Sequence, residues 1–177
     1  LNTDNFNLTG ESFDYGPWRF LDKMDFNFTA AYFDREGRYA YGKQPEAALW
    51  ALCRLADCFT DFVSTEQLEK MLQKFYPAIQ SALSAKLCWR FGVAPASSAK
   101  EAEFVSLFFS TSTNSKINLD YLFHHFYAGF EANQILSAPE PLRPFLEVLK
   151  ELPARQNKRP YYFDEPLESS LVFGETE

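Results

Sequence analysis

The sequence predicts a mainly α fold in which a small β-hairpin and a long loop lead into a helical bundle. Three observations carry that expectation. From Gln44 onward apolar residues recur at intervals of three and four, the spacing of one helix face. Before that, Phe6–Leu8 and Glu11–Phe13 alternate about Thr9-Gly10, the pattern of a tight hairpin. Between the two, residues 15–42 are irregular and rich in aromatics, which in a compact domain marks a functional loop more often than an idle one.

Each element has its own local cause. Pro45 suits the first turn of a helix that carries Leu49, Leu52, Leu55 or Ala56, and Phe59. Ser64-Thr65-Glu66-Gln67 offers an N-cap and a Gln three residues on, opening a longer helix. Its apolar stripe runs through Leu68, Met71, Leu72, Phe75, Ile79, Leu83, Leu87 and Phe91. Pro77 is expected to kink or split it, and Gly92 to stop it. Ser97 or Ser98 starts a third helix with Phe104, Val105, Phe108 and Phe109 inward. Asn118 or Asp120 starts a fourth with Leu122, Phe123, Phe126 and Phe130. A Pro-rich step (Pro139, Pro141, Pro144) precedes a short helix over Phe145–Leu152. The organisation expected is 1–43 hairpin and loop, 44–152 helical, and 153–177 a Pro-containing tail.

Composition narrows the function classes. The chain has 177 residues, 46% of them hydrophobic and 18% aromatic, which excludes a disordered chain. Its formal net charge of −7, with no Lys/Arg-rich stripe, argues against nucleic acid as a partner. No apolar run approaches the roughly 20 residues of a membrane span, so no membrane partner is expected. The absence of a leader and the three cysteines, Cys53, Cys58 and Cys88, without framework spacing, fit a reducing, cytoplasmic setting. On that reading the sequons Asn7-Leu8-Thr9 and Asn27-Phe28-Thr29 are chance. Cys53 and Cys58, about 140° apart on a helix, suit the core better than a shared metal.

Few residues suggest chemistry. His124 and His125 are helix neighbours pointing about 100° apart and make no joint ligand site. No phosphate-binding Gly-rich loop and no nucleophile elbow occurs. The opening segment is different. Phosphoryl and nucleotidyl transfer need an acid that orients or deprotonates the attacking hydroxyl, and hard oxygen ligands that hold Mg²⁺ against phosphates. Asp4 and Asn5 stand just before the expected hairpin and Asp14-Tyr15-Gly16 just after it. A tight hairpin would return Asp14 to the neighbourhood of Asn5, within reach of one ion. Against this stands the bland reading, in which Asp and Asn near turns are capping or solvated residues.

Residues 1–21, L-N-T-D-N-F-N-L-T-G-E-S-F-D-Y-G-P-W-R-F-L, resemble the signature of the selenoprotein O family. The likeness continues through F-T-A-A-Y-F-D-R-E-G-R-Y-A-Y-G-K-Q-P-E-A-A-L-W-A-L, residues 28–52, and more loosely into F-E-A-N and R-P-Y-Y-F-D-E-P. The resemblance implies the C-terminal lobe of a protein-kinase-like fold and the activity of a protein adenylyltransferase, moving AMP from ATP to Ser, Thr or Tyr hydroxyls of proteins. It implies Asp4 as proton acceptor, Asn5 and Asp14 as ligands of Mg²⁺ (or Mn²⁺), and Asp14 beside the ATP phosphates. ATP and protein substrates are the partners implied. The family's N-terminal lobe has no counterpart here, so the chain is expected to be a fragment and inactive by itself. Where some members carry a cysteine in the activation-like loop, this chain has Phe28-Thr29-Ala30-Ala31. Two non-catalytic alternatives remain open, a pseudokinase-like binding module and a helical interaction domain. The loop aromatics Trp18, Phe20, Phe26, Phe28, Tyr32 and Phe33 are expected to be exposed and to favour self-association.

Overall fold

The computed structural model describes residues 3, 6, 7, 9, 16, 19–94, 97–127 and 131–155. Its regular elements are helices: α1 Gln44–Asp57, α2 Thr65–Leu72, α3 Phe75–Arg90, α4 Ser98–Ser115, α5 Leu119–His125, α6 Ala132–Ser137 and α7 Arg143–Glu151, with short 3-10 turns before α1 and α7. The mainly helical expectation holds.

The hairpin expected over residues 6–13 is not seen. Among the described residues there is no strand, only the isolated bridges Lys23 with Asn118 and Val93 with Ala154. The backbone amide and hydroxyl of Thr9 both donate to the Asn7 side-chain oxygen, at 3.1 and 3.0 Å. Such a local side-chain turn offers the backbone an alternative to ladder pairing. Residues 8 and 10–15 lie outside the described residues.

The helix signals act locally, as capping chemistry requires. Ser64 Oγ accepts from the Gln67 amide at 3.4 Å and donates to the Gln67 carboxamide at 3.2 Å. Asn118 Oδ1 accepts from the Tyr121 amide at 2.9 Å. The stripe from Leu68 to Phe91, expected to be kinked or split at Pro77, is instead split before it, at Gln73-Lys74, which leaves Pro77 in the first turn of α3, where its missing N–H costs no helical bond. The sequence reading missed α6, although Glu131 and Gln134 already form a start signal: the Glu131 amide donates to Gln134 Oε1 at 2.6 Å.

The chain divides into two compact units, Leu1–Leu21 with Asp25–Gln80, and Asp22–Met24 with Ser81–Glu177. The second unit holds most of the core. There α7 packs on α4 and α6, and Phe91, Phe104, Phe108, Phe123 and Phe145 share one aromatic cluster. Phe91 lies at its centre, with ring centroids 4.8 Å from Phe123, 5.3 Å from Phe145, 5.8 Å from Phe104 and 5.9 Å from Phe108. Gly92 then ends the run of helix with φ of +68°, and a Cβ there would sit 2.4 Å from the Tyr127 ring. Only glycine meets both conditions without strain. The Gly92 carbonyl accepts from the Arg155 amide at 3.0 Å, tying the chain beyond α7 back to the end of α3.

In the first unit α1 packs on α2, yet the predicted core stripes are only half covered. Ala51 is buried, whereas Leu55, Phe59 and Met71 remain 38%, 46% and 64% exposed. Cys58, expected in the core, is exposed just past the last residue of α1, and its thiol donates to the Arg54 carbonyl at 3.4 Å. The loop aromatics follow the expectation of exposure at Phe20, Phe26, Tyr32 and Phe33, while Phe28 is half-buried and Trp18 lies outside the described residues.

Candidate functional site

Asp4, Asn5 and Asp14, the residues expected to carry the chemistry, all lie outside the described residues. Gly16, which closes the Asp14-Tyr15-Gly16 triplet, has a φ of +52°, the left-handed backbone that lets the chain redirect sharply. Asn5 and Asp14, the expected metal ligands, offer a carboxamide and a carboxylate oxygen, hard donors of the kind Mg²⁺ takes. Among the described residues no group of three or more His, Cys, Asp or Glu side chains could hold a metal. His125 is accounted for by packing: its ring stacks on Tyr121 at 4.9 Å, and burial pushes its pKa down, with His124 adding to the shift. Burial likewise pushes the Cys88 thiol up, away from the reactive thiolate.

Downstream of Gly16 the loop is organised by hydrogen bonds rather than by regular structure. Arg19 donates to the Thr29 carbonyl at 2.8 Å and lies over the Phe28 ring, 5.2 Å from its centroid. The Tyr41 and Gly42 amides donate to the Phe28 and Phe26 carbonyls, each at 2.8 Å, folding the loop back on itself. At its centre the Asp34 carboxylate accepts from the Arg38 amide at 2.9 Å and the Tyr39 amide at 2.7 Å. The Tyr39 amide is the main cause that holds the Asp34 carboxyl below its usual range, with the Arg38 amide and the Lys43 and Arg38 charges adding to it. A depressed folded value means that this carboxylate supports the loop above about pH 4 and that the support is lost as pH falls through the lower folded value. An NMR titration of the Asp34 carboxyl should therefore give a midpoint below that of an unstructured aspartate, and Tyr39→Pro, which removes one donor, should move it upward.

Two concavities border this loop and its following helices. One, of about 480 Å³, is lined by Glu36, Arg38, Tyr39, Lys43, Glu46, Ala47 and Trp50. The other, of about 350 Å³, is an apolar groove of α1, α2 and the start of α3, including Leu55, Phe59, Met71 and Phe75. The sequence reading did not single out the first. Its signal is present in Asp34-Arg35-Glu36-Gly37, a turn pattern with Asp leading and Gly three residues on.

The sequence profile of the family described as protein adenylyltransferase SelO matches residues 1–157, and the chain belongs to that family. It is similar to proteins named protein nucleotidyltransferase YdiU. The one from a Marinomonas species is 37% identical over 93 residues, 52% of this chain and 20% of the relative. That from Synechocystis is 45% identical over 75 residues, 42% and 16% respectively. That from Pectobacterium carotovorum is 36% identical over 107 residues, 60% and 22%. The matched stretches thus span about a fifth of the length of these relatives.

Proposed function

We propose that this chain is the kinase-like C-terminal-lobe portion of a protein adenylyltransferase, a nucleotidyltransferase that moves AMP from ATP to protein Ser, Thr or Tyr hydroxyls. The observation that carries the reading is the family match over residues 1–157, which includes the Asn2-Thr3-Asp4-Asn5 and Asp14-Tyr15-Gly16-Pro17 motifs. The names of the relatives point the same way. In the reaction the acceptor hydroxyl oxygen attacks the α-phosphorus, the bond from that phosphorus to the bridging oxygen breaks, and pyrophosphate leaves. Asp4 takes the hydroxyl proton, and Asn5 and Asp14 hold the divalent cation. Mg²⁺, when bound, neutralises charge on the ATP phosphates.

The test uses a polypeptide of family length carrying this segment, with α-labelled or γ-labelled ATP, Mg²⁺ and an acceptor protein. Adenylylation places the α label on the acceptor and leaves the γ label in pyrophosphate. Transfer of the γ label would make the protein a kinase, and transfer of neither would favour the pseudokinase-like binding module. The 177-residue chain by itself is expected to incorporate no label, because the stretches it matches cover only about a fifth of its relatives' length.

A further inference from the structure

The charged cleft of about 480 Å³ is lined by the segment between the Asp14-Tyr15-Gly16 motif and α1 and by the first turns of α1, within the first compact unit. Its lining carries two carboxylates, Glu36 and Glu46, and two cations, Arg38 and Lys43, beside the rings of Tyr39 and Trp50. None of these four charges forms an ion pair with another described residue, although Arg38 and Lys43 act on Asp34 through space. Charges of both signs, unpaired among the described residues, around aromatic surface are a poor match for a polyphosphate, which the carboxylates would repel in a chain already at −7. They are an equally poor match for a lipid tail. They suit a polypeptide, whose side chains supply both signs and whose apolar residues can lie on Trp50, 52% exposed.

The cleft is also held in shape before any ligand arrives. Asp34 fixes the Arg38 and Tyr39 backbone through their amides, and Lys43 is the residue from which α1 begins. Ordering that is already in place need not be lost again on binding.

We infer that this cleft docks the protein substrate, an inference that rests on the adenylyltransferase reading and deepens it. The segment it takes is charge-mixed: a basic side chain facing Glu36 and Glu46, an acidic one facing Arg38 and Lys43, and an apolar or aromatic one on Trp50. Sequence around the accepting hydroxyl is thereby selected by residues that take no part in the phosphorus chemistry.

Fluorescein-labelled dephosphorylated casein serves as the probe in an anisotropy titration of the 177-residue chain. R38E/K43E should bind it about tenfold more weakly than the unmutated chain, the scale of two reversed surface charges. K70E/K86E, with the same change in net charge at lysines that do not line the cleft, should bind as the unmutated chain does. E36K/E46K provides an independent second variant, and far-UV circular dichroism establishes that each is folded. Absence of casein binding by the unmutated chain, or equal weakening by R38E/K43E and K70E/K86E, overturns the inference. In the family-length protein, R38E/K43E should raise the KM for casein while the KM for ATP stays within about twofold. A raised KM for ATP instead, with that for casein unchanged, also overturns it. If the unmutated family-length protein transfers no α label, the adenylyltransferase reading fails separately, and the anisotropy comparison still decides whether the cleft holds polypeptide.

Discussion

Replacing Phe91 by alanine is expected to cost about 3–5 kcal/mol, the range for truncating a fully buried aromatic ring. Phe91 is 0% exposed, and its ring lies within 6 Å, centroid to centroid, of Phe104, Phe108, Phe123 and Phe145. Removing it takes the shared neighbour from four other rings at once, and rings held from α4, α5 and α7 cannot all move inward to fill the space. Against a typical domain stability of about 5–15 kcal/mol, such a loss leaves a substantial unfolded fraction. Urea titration followed by tryptophan fluorescence would measure it as a fall in midpoint. Phe91→Leu keeps most of the volume and should cost less than about 1.5 kcal/mol, chiefly the edge-to-face ring contacts. A cost below about 1 kcal/mol for Phe91→Ala would mean that the cluster is not the unit's core.

The largest expected effect on activity is at the motif residues. In a family-length protein, Asp4→Asn should lower the rate of AMP transfer by about 10²–10⁴-fold, the usual contribution of a positioned general base, since a carboxamide cannot take the hydroxyl proton. Asp14→Ala should abolish transfer within detection, because one change removes both a hard ligand of the cation and the carboxylate proposed beside the phosphates. The two variants differ in a second readout. Asp4→Asn should leave Mg²⁺-dependent ATP binding in place, whereas Asp14→Ala should weaken it, and neither should shift the thermal midpoint appreciably. Full activity in Asp14→Ala would remove the proposed metal role.

The fold was legible where the cause is local. The Ser64 and Asn118 caps and the stop at Gly92 each depend on residues within about four positions, and each lies where the pattern puts it. Two local expectations failed for local reasons as well. At Thr9 the Asn7 side chain supplies the partner that a strand ladder would have used. At α6 the six-residue span is too short to show a period, so only its capping pair announced it. The proposed catalytic residues were legible as a motif, since Asp4, Asn5 and Asp14 are close in sequence. The charged cleft was not, because its members look like ordinary solvated residues until the Asp34 turn gathers them on one surface.

The sequence by itself determined several helix caps and stops, which family the chain belongs to, and which three oxygen-bearing side chains are proposed to carry the chemistry. Those depend on short-range hydrogen bonding and on residue identity. Only the tertiary structure decided which apolar stripes become core. Phe91 and Met71 belong to the same predicted stripe, yet one is fully buried and the other 64% exposed. Periodicity specifies a face, but burial requires a second face to cover it, and that is set by the whole chain rather than by the helix.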